Sequence, residues 1–144
     1  MQDLPHHYVV TARGAAEGAV TLGTAGVAEL ARAPPPEFGG PEGHWSPESL
    51  LTAAVADCFV LSFRAVARAS RLDWSWLDCS VTGVLDRVDR RLRFTHFVVE
   101  AQLAIADADA EERARRLLAK AEENCLVSAS LAAPVELRAE IRAA

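Results

Sequence analysis

The chain has 144 residues, of which 51% are hydrophobic and 24% charged, and its formal net charge is −5. That length supports one domain with a sizeable core. The acidic balance excludes an extended nucleic-acid surface, which requires clustered Lys and Arg.

The opening segment, MQDLPHHYVV, has no basic end followed by an apolar stretch, so no secretory signal is expected and the cytoplasm is the expected location. Residues 8–32 read as three short strands, YVVTAR, GAVTLGT and GVAELAR, separated by Gly-containing turns. The Pro- and Gly-punctuated segment 33–45, APPPEFGGPEGHW, is expected to be a loop without regular structure. A long helix should follow from Ser46 to about Ser70. Ser46 suits the N-cap, Pro47 the first helical position, and Glu48 the positive end of the dipole. Its apolar spacing puts Leu51, Ala54, Val55, Cys58, Leu61 and Ala65 on one stripe, expected to be buried, with Cys58 past the helix midpoint. The longest apolar run, residues 50–63, is short for a bilayer and carries Asp57, so no membrane partner is expected.

Alternation over 77–89 and 91–105 predicts a hairpin, and the pattern shift between Phe94 and Phe97 predicts a bulge near Thr95–His96. Asp109 with Glu112 has the spacing of a capping box, opening a helix with Ala110, Ala114, Leu117, Leu118 and Ala121 inward. Residues 134–141 alternate as a last strand. The expected class is α+β, an antiparallel sheet packed on helices, in a single domain spanning residues 1–144.

The chemistry rests on three thiols, an odd count that does not suit a stapled secreted scaffold. Any disulfide is therefore expected to be transient. Cys79, on the apolar face of a strand, reads as packing. Cys58, on a helical stripe, invites the same reading when taken alone. Cys125 differs, because it follows Asn124 where a charged helix ends and LVSASL can begin another turn. A thiol at such a start faces unpaired N–H groups, which favour a thiolate. No His or Cys spacing suggests a metal, no phosphate loop follows a strand, and no cofactor is expected.

Together, SPESLLTAAVADCF (46–59) and KAEENCLVSASL (120–131) resemble the OsmC/Ohr family of thiol peroxidases, and the resemblance covers most of the chain. It implies an intertwined homodimer of α+β subunits, with antiparallel sheets around a long central helix. It also implies reduction of organic hydroperoxides through a Cys58 sulfenic acid and a Cys58–Cys125 disulfide, recycled by external dithiols such as lipoyl groups. Glu48 matches the family glutamate that orients an arginine beside the reactive thiol. Family members carry that arginine in the first hairpin turn or in the loop before the long helix. In this chain the candidates are Arg13 and Arg32, both displaced from the family position, with His44 a weaker substitute. Arg64, six positions after Cys58, would point away from the thiol. Two rival readings follow from the unmatched arginine and from His44: a non-catalytic binding or redox-sensing protein, and a Cys–His acyl-transfer enzyme.

Overall fold

A computed structural model describes residues 1–143 and divides the chain into two compact units, Met1–Leu50 and Leu51–Ala144. The N-terminal unit holds a three-stranded antiparallel sheet of β1 (Thr11–Arg13), β2 (Val20–Gly23) and β3 (Leu30–Arg32). These strands are shorter than the apolar pattern suggested, because β1 is exposed along its length and buries nothing that would extend it. The loop that follows is more ordered than its composition implies. It contains a 3-10 turn at Pro36–Phe38, stopped by Gly39 in a left-handed conformation (φ 82°). A bridge between Arg32 and Trp45 then closes it.

The helix α1 spans Pro47–Ala69. Its start is fixed by a reciprocal pair: the Ser49 N–H donates to Ser46 Oγ at 3.1 Å, and the Ser46 N–H donates to Ser49 Oγ at 2.9 Å. This is a capping box with serine in the place usually taken by Glu or Gln. The expected start and length therefore hold, but Cys58 falls at the midpoint of the 23-residue helix instead of beyond it.

In the second unit, β4 (Trp74–Val88) and β5 (Arg91–Ile105) form an antiparallel hairpin. Its two-residue turn puts Asp89 and Arg90 at φ 51° and 66°, the pattern of a type I′ turn. Val84 pairs with His96 and Leu85 with Phe94, leaving Thr95 as the extra residue of the anticipated bulge. A 3-10 turn at Ala108–Ala110 leads into α2 (Glu111–Glu123). Here the expected capping box is corrected. Asp107, not Asp109, caps, accepting the Asp109 N–H at 2.9 Å, and the N-cap of α2 itself is Ala110, with no side-chain cap.

A short third helix, α3 (Leu126–Ala129), follows with Cys125 at its N-cap, and β6 (Val135–Ala143) closes the sheet order β4-β5-β6. The α+β class holds, but the sheet is mixed: β6 runs parallel to β5, where an antiparallel arrangement was expected. The reason is the connection. A strand that returns through α2 and α3 can re-enter in the same direction, which a tight hairpin cannot allow.

The core of this unit joins three elements. From β5 come Phe97, Val99, Ala101, Leu103 and Ile105, at strict period two; from α1, Val55, Phe59, Phe63 and Val66; from α2, Ala114, Leu117, Leu118 and Ala121. The α1 stripe is thus rotated from the expected one. Cys58 and Leu51 are only half-buried, and Leu61 and Ala65 are exposed. Because α1 is apolar nearly all round, spacing alone does not say which face meets the sheet. By length and composition α1 also suffices to cross a membrane, with a mean hydropathy of 1.8, a correction to the run of 50–63 judged too short. Part of that apolar surface, Val55, Phe59 and Phe63, belongs to this core.

Candidate active site

Cys58 emerges from the face of α1 that the sheet does not cover. It lines an open, mainly apolar pocket of about 550 Å³ with Ala54, Leu61, Ser62 and Ala65 of its own helix and Leu126 and Val127 of α3. Leu61 and Leu126 stand 51% and 77% exposed at its walls. The chain bend between α2 and α3 brings Cys125 against this pocket from behind, where it is only 1% exposed. Both thiols are free, and the Cys125 thiol donates a hydrogen bond to the Cys58 sulfur. The Ser62 hydroxyl, one helical turn on, lies 3.9 Å from Cys58 Sγ.

The electrostatics divide the two sulfurs. Burial is the strongest single influence on Cys58 and disfavours its thiolate. Hydrogen bonds from the Val127 N–H, the Cys125 thiol, the Ser62 hydroxyl and the Leu126 N–H together outweigh it, so the Cys58 pKa falls below its ordinary value. Cys125 moves the other way. Burial dominates, the Ser128 hydroxyl and N–H offset only part of it, and the neighbouring Cys58 adds to the rise. By position alone the start of α3 suggested a thiolate at Cys125, but it favours one at Cys58, the reactive thiol of the family resemblance. The first N–H groups of that turn reach Cys58 instead, and Cys125 is a proton donor toward it. Cys79, half-buried on the inner face of β4, is pushed up to about 11 by burial and by the charges of Asp78 and Cys125, consistent with a packing thiol.

A polarised thiol beside a protonated one, open to an apolar pocket, is chemically suited to two-thiol redox chemistry. Residues 39–140 match the family of OsmC-like proteins. The chain belongs to the OsmC-like family. The uncharacterized protein YmaD of Bacillus subtilis is 25% identical to it over 109 residues, covering 74% of this chain and 73% of its own. Among solved structures, an organic hydroperoxide resistance protein OsmC from Legionella pneumophila is 27% identical with a TM-score of 0.73, covering 96% of this chain and 98% of that one. An OsmC-like protein of unknown function from Vibrio cholerae shares the fold at a TM-score of 0.86 and 17% identity, covering 94% and 100%.

Arg13, Arg32, His44 and Glu48 fall in the N-terminal unit. Arg13 ends β1 and is exposed, Arg32 ends β3 and is half-buried, and neither makes an ion pair among the described residues. Glu48 is half-buried in the first turn of α1. His44 is exposed, with Nδ1 3.1 Å from the Glu42 carbonyl oxygen. Arg64 lines a different cavity, with Arg68 and Arg71, as its angle around the helix required. Ser62 was missed. A serine four residues after a helical cysteine is its neighbour on the same face, and that spacing was available as a signal.

Proposed function

We propose that this OsmC-like protein is a cysteine-based peroxidase that reduces organic hydroperoxides. The observation that supports this reading best is the contact between the Cys125 thiol and a Cys58 sulfur already biased toward its thiolate. The Cys58 thiolate attacks the terminal peroxide oxygen and the O–O bond breaks. The alkoxide leaves as alcohol after taking a proton, and Cys58 remains as a sulfenic acid. The Cys125 sulfur then displaces hydroxide from it, which departs as water with the Cys125 proton, leaving a Cys58–Cys125 disulfide. An external dithiol, for which a lipoylated protein is the family's example, restores both thiols and is itself oxidised.

The reading extends to an activating role for Arg13 or Arg32, oriented by Glu48, and to a cytoplasmic homodimer built from single-domain subunits. For the dimer, support comes from α1: its apolar 18-residue window is only 22% buried, so much apolar helix surface awaits a cover. Consumption of cumene hydroperoxide by the reduced protein, abolished in Cys58→Ser, tests the function. Mass spectrometry after one equivalent of peroxide tests the intermediate. A Cys58–Cys125 crosslink is expected, and overoxidised Cys58 alone would remove Cys125 from the mechanism.

One observation favours the rival reading of a redox-sensing protein without turnover. Among the described residues the Cys58 pocket has no cationic lining group. A sensor would form the disulfide once, with stoichiometric peroxide loss, and would not cycle when excess dithiol is supplied.

A further inference from the structure

Among the described residues, Asp57 is the one charged residue lining the Cys58 pocket. Its position suits neither capping nor packing. It lies near the midpoint of α1, far past the first turn where a carboxylate complements the helix dipole, and it is exposed. Among the described residues it forms no salt bridge, and no hydrogen bond holds its side chain. The charge therefore faces the pocket with no cation among the described lining residues, beside apolar walls that screen it less than bulk water would.

We propose that Asp57 is a specificity determinant that excludes anionic ligands from the Cys58 pocket and so selects neutral hydroperoxides. The substrate class rests on the peroxidase reading above; the charge selection does not. A carboxylate carried on a substrate tail meets Asp57 on entering and, once Cys58 ionises, a second negative centre on the adjacent residue. A neutral ester of the same acid meets neither repulsion. For charges several ångströms apart at a partly exposed site, the discrimination should be about threefold to tenfold, and salt should shrink it.

Two ratios test this, each arranged so that a change in Cys58 nucleophilicity cancels. The first is the rate of Cys58 alkylation by neutral iodoacetamide over that by anionic iodoacetate. The second is kcat/KM for methyl linoleate hydroperoxide over that for linoleic acid hydroperoxide, below their micellar concentrations. Asp57→Asn should reduce both ratios by about threefold to tenfold, and high salt should reduce them in the unsubstituted protein. An alkylation ratio that is the same in both proteins overturns the inference. If neither hydroperoxide is consumed while the alkylation ratio falls, the peroxidase reading fails and the charge selection stands.

Discussion

The Cys125 thiol donates to the Cys58 sulfur, and the one contact drives two identical groups in opposite directions. The donor stabilises a thiolate on Cys58, while the growing charge on Cys58 holds the proton on Cys125. Removing either partner should therefore release the other. In Cys125→Ala the pH midpoint for Cys58 alkylation should rise, because one of its lowering hydrogen bonds is gone. In Cys58→Ser the midpoint for Cys125 should fall toward the ordinary thiol range. Alkylation profiles across pH 5 to about 11, read by peptide mass spectrometry, bracket the ordinary thiol value of about 8.5. Midpoints that ignore both substitutions would mean that the sulfurs do not interact.

Ser62 contributes to the same balance from within α1. Its hydroxyl is 3.9 Å from Cys58 Sγ, long for a hydrogen bond but within range for a large, polarisable sulfur. Ser62→Ala should raise the Cys58 pKa and slow thiolate reactions at neutral pH by up to about tenfold, the effect of a bond worth around 1 kcal/mol. At a pH above the new midpoint the rate should recover. A deficit that persists at all pH values would point to altered packing, and the assignment of Ser62 as a donor would fall.

These two residues also show where the sequence was readable. Strand alternation located β5 to its termini, and the shift between Phe94 and Phe97 located the Thr95 bulge, because each inward side chain of a half-buried strand must be apolar. The α1 start was equally legible from Ser46 and Pro47. Its orientation was not: a helix with apolar residues on nearly every face offers no moment to read, so Cys58 was assigned to the core when it faces a pocket. The direction of β6 was hidden because parallel pairing depends on the path of α2 and α3, not on the strand's own residues. The pairing of Cys58 with Cys125 came only from resemblance. The distance between two atoms separated by a hairpin and a helix is not encoded in local periodicity.

The hairpin turn carries a removable strain. Asp89 tolerates a left-handed backbone, but Arg90, at φ 66°, bears a Cβ where glycine would be preferred. Arg90→Gly should stabilise the protein by about 0.5–1 kcal/mol, since type I′ turns favour glycine there. The gain should appear as a higher denaturant midpoint with an unchanged slope. No gain would mean that the flexibility added to the unfolded chain cancels the relief.

Gly83 of β4 lies where side chains of α1 and β5 leave no room for a Cβ. A Cβ built there would lie 2.8 Å from Phe97 Cε1, 2.9 Å from Thr52 Oγ1 and 3.0 Å from Phe94 Cε1. Phe94 and Phe97 are stacked with centroids 5.0 Å apart, so neither ring is free to retreat without disturbing the other. Gly83→Ala should cost about 1–3 kcal/mol through overpacking. The Cys58 alkylation midpoint should be unaffected, because the clash lies away from the thiol pocket. A neutral effect on stability would show that the helix shifts on the sheet at little cost.

Cys79 gives the last test, and its sign follows from burial. Its pKa in the fold is about 11, raised first by desolvation and then by Asp78 and Cys125, whereas an unfolded thiol titrates near 8.5. The folded state therefore favours the neutral form. Its contribution is complete below about pH 8.5 and is lost as pH climbs toward 11, because the unfolded chain releases the proton first. A shift of this size corresponds to roughly 3 kcal/mol at most, and partial solvent access reduces the expected loss to about 1–2 kcal/mol. Urea denaturation at pH 8 and pH 10.5 should show that decline in the unsubstituted protein and a smaller one in Cys79→Ala, which no longer has the titrating group. Alanine also stands opposite at Ala101, on the inner face of the neighbouring strand, so the replacement keeps a small apolar side chain in the row. Equal declines in both proteins would assign the alkaline instability to other groups and leave Cys79 electrostatically silent.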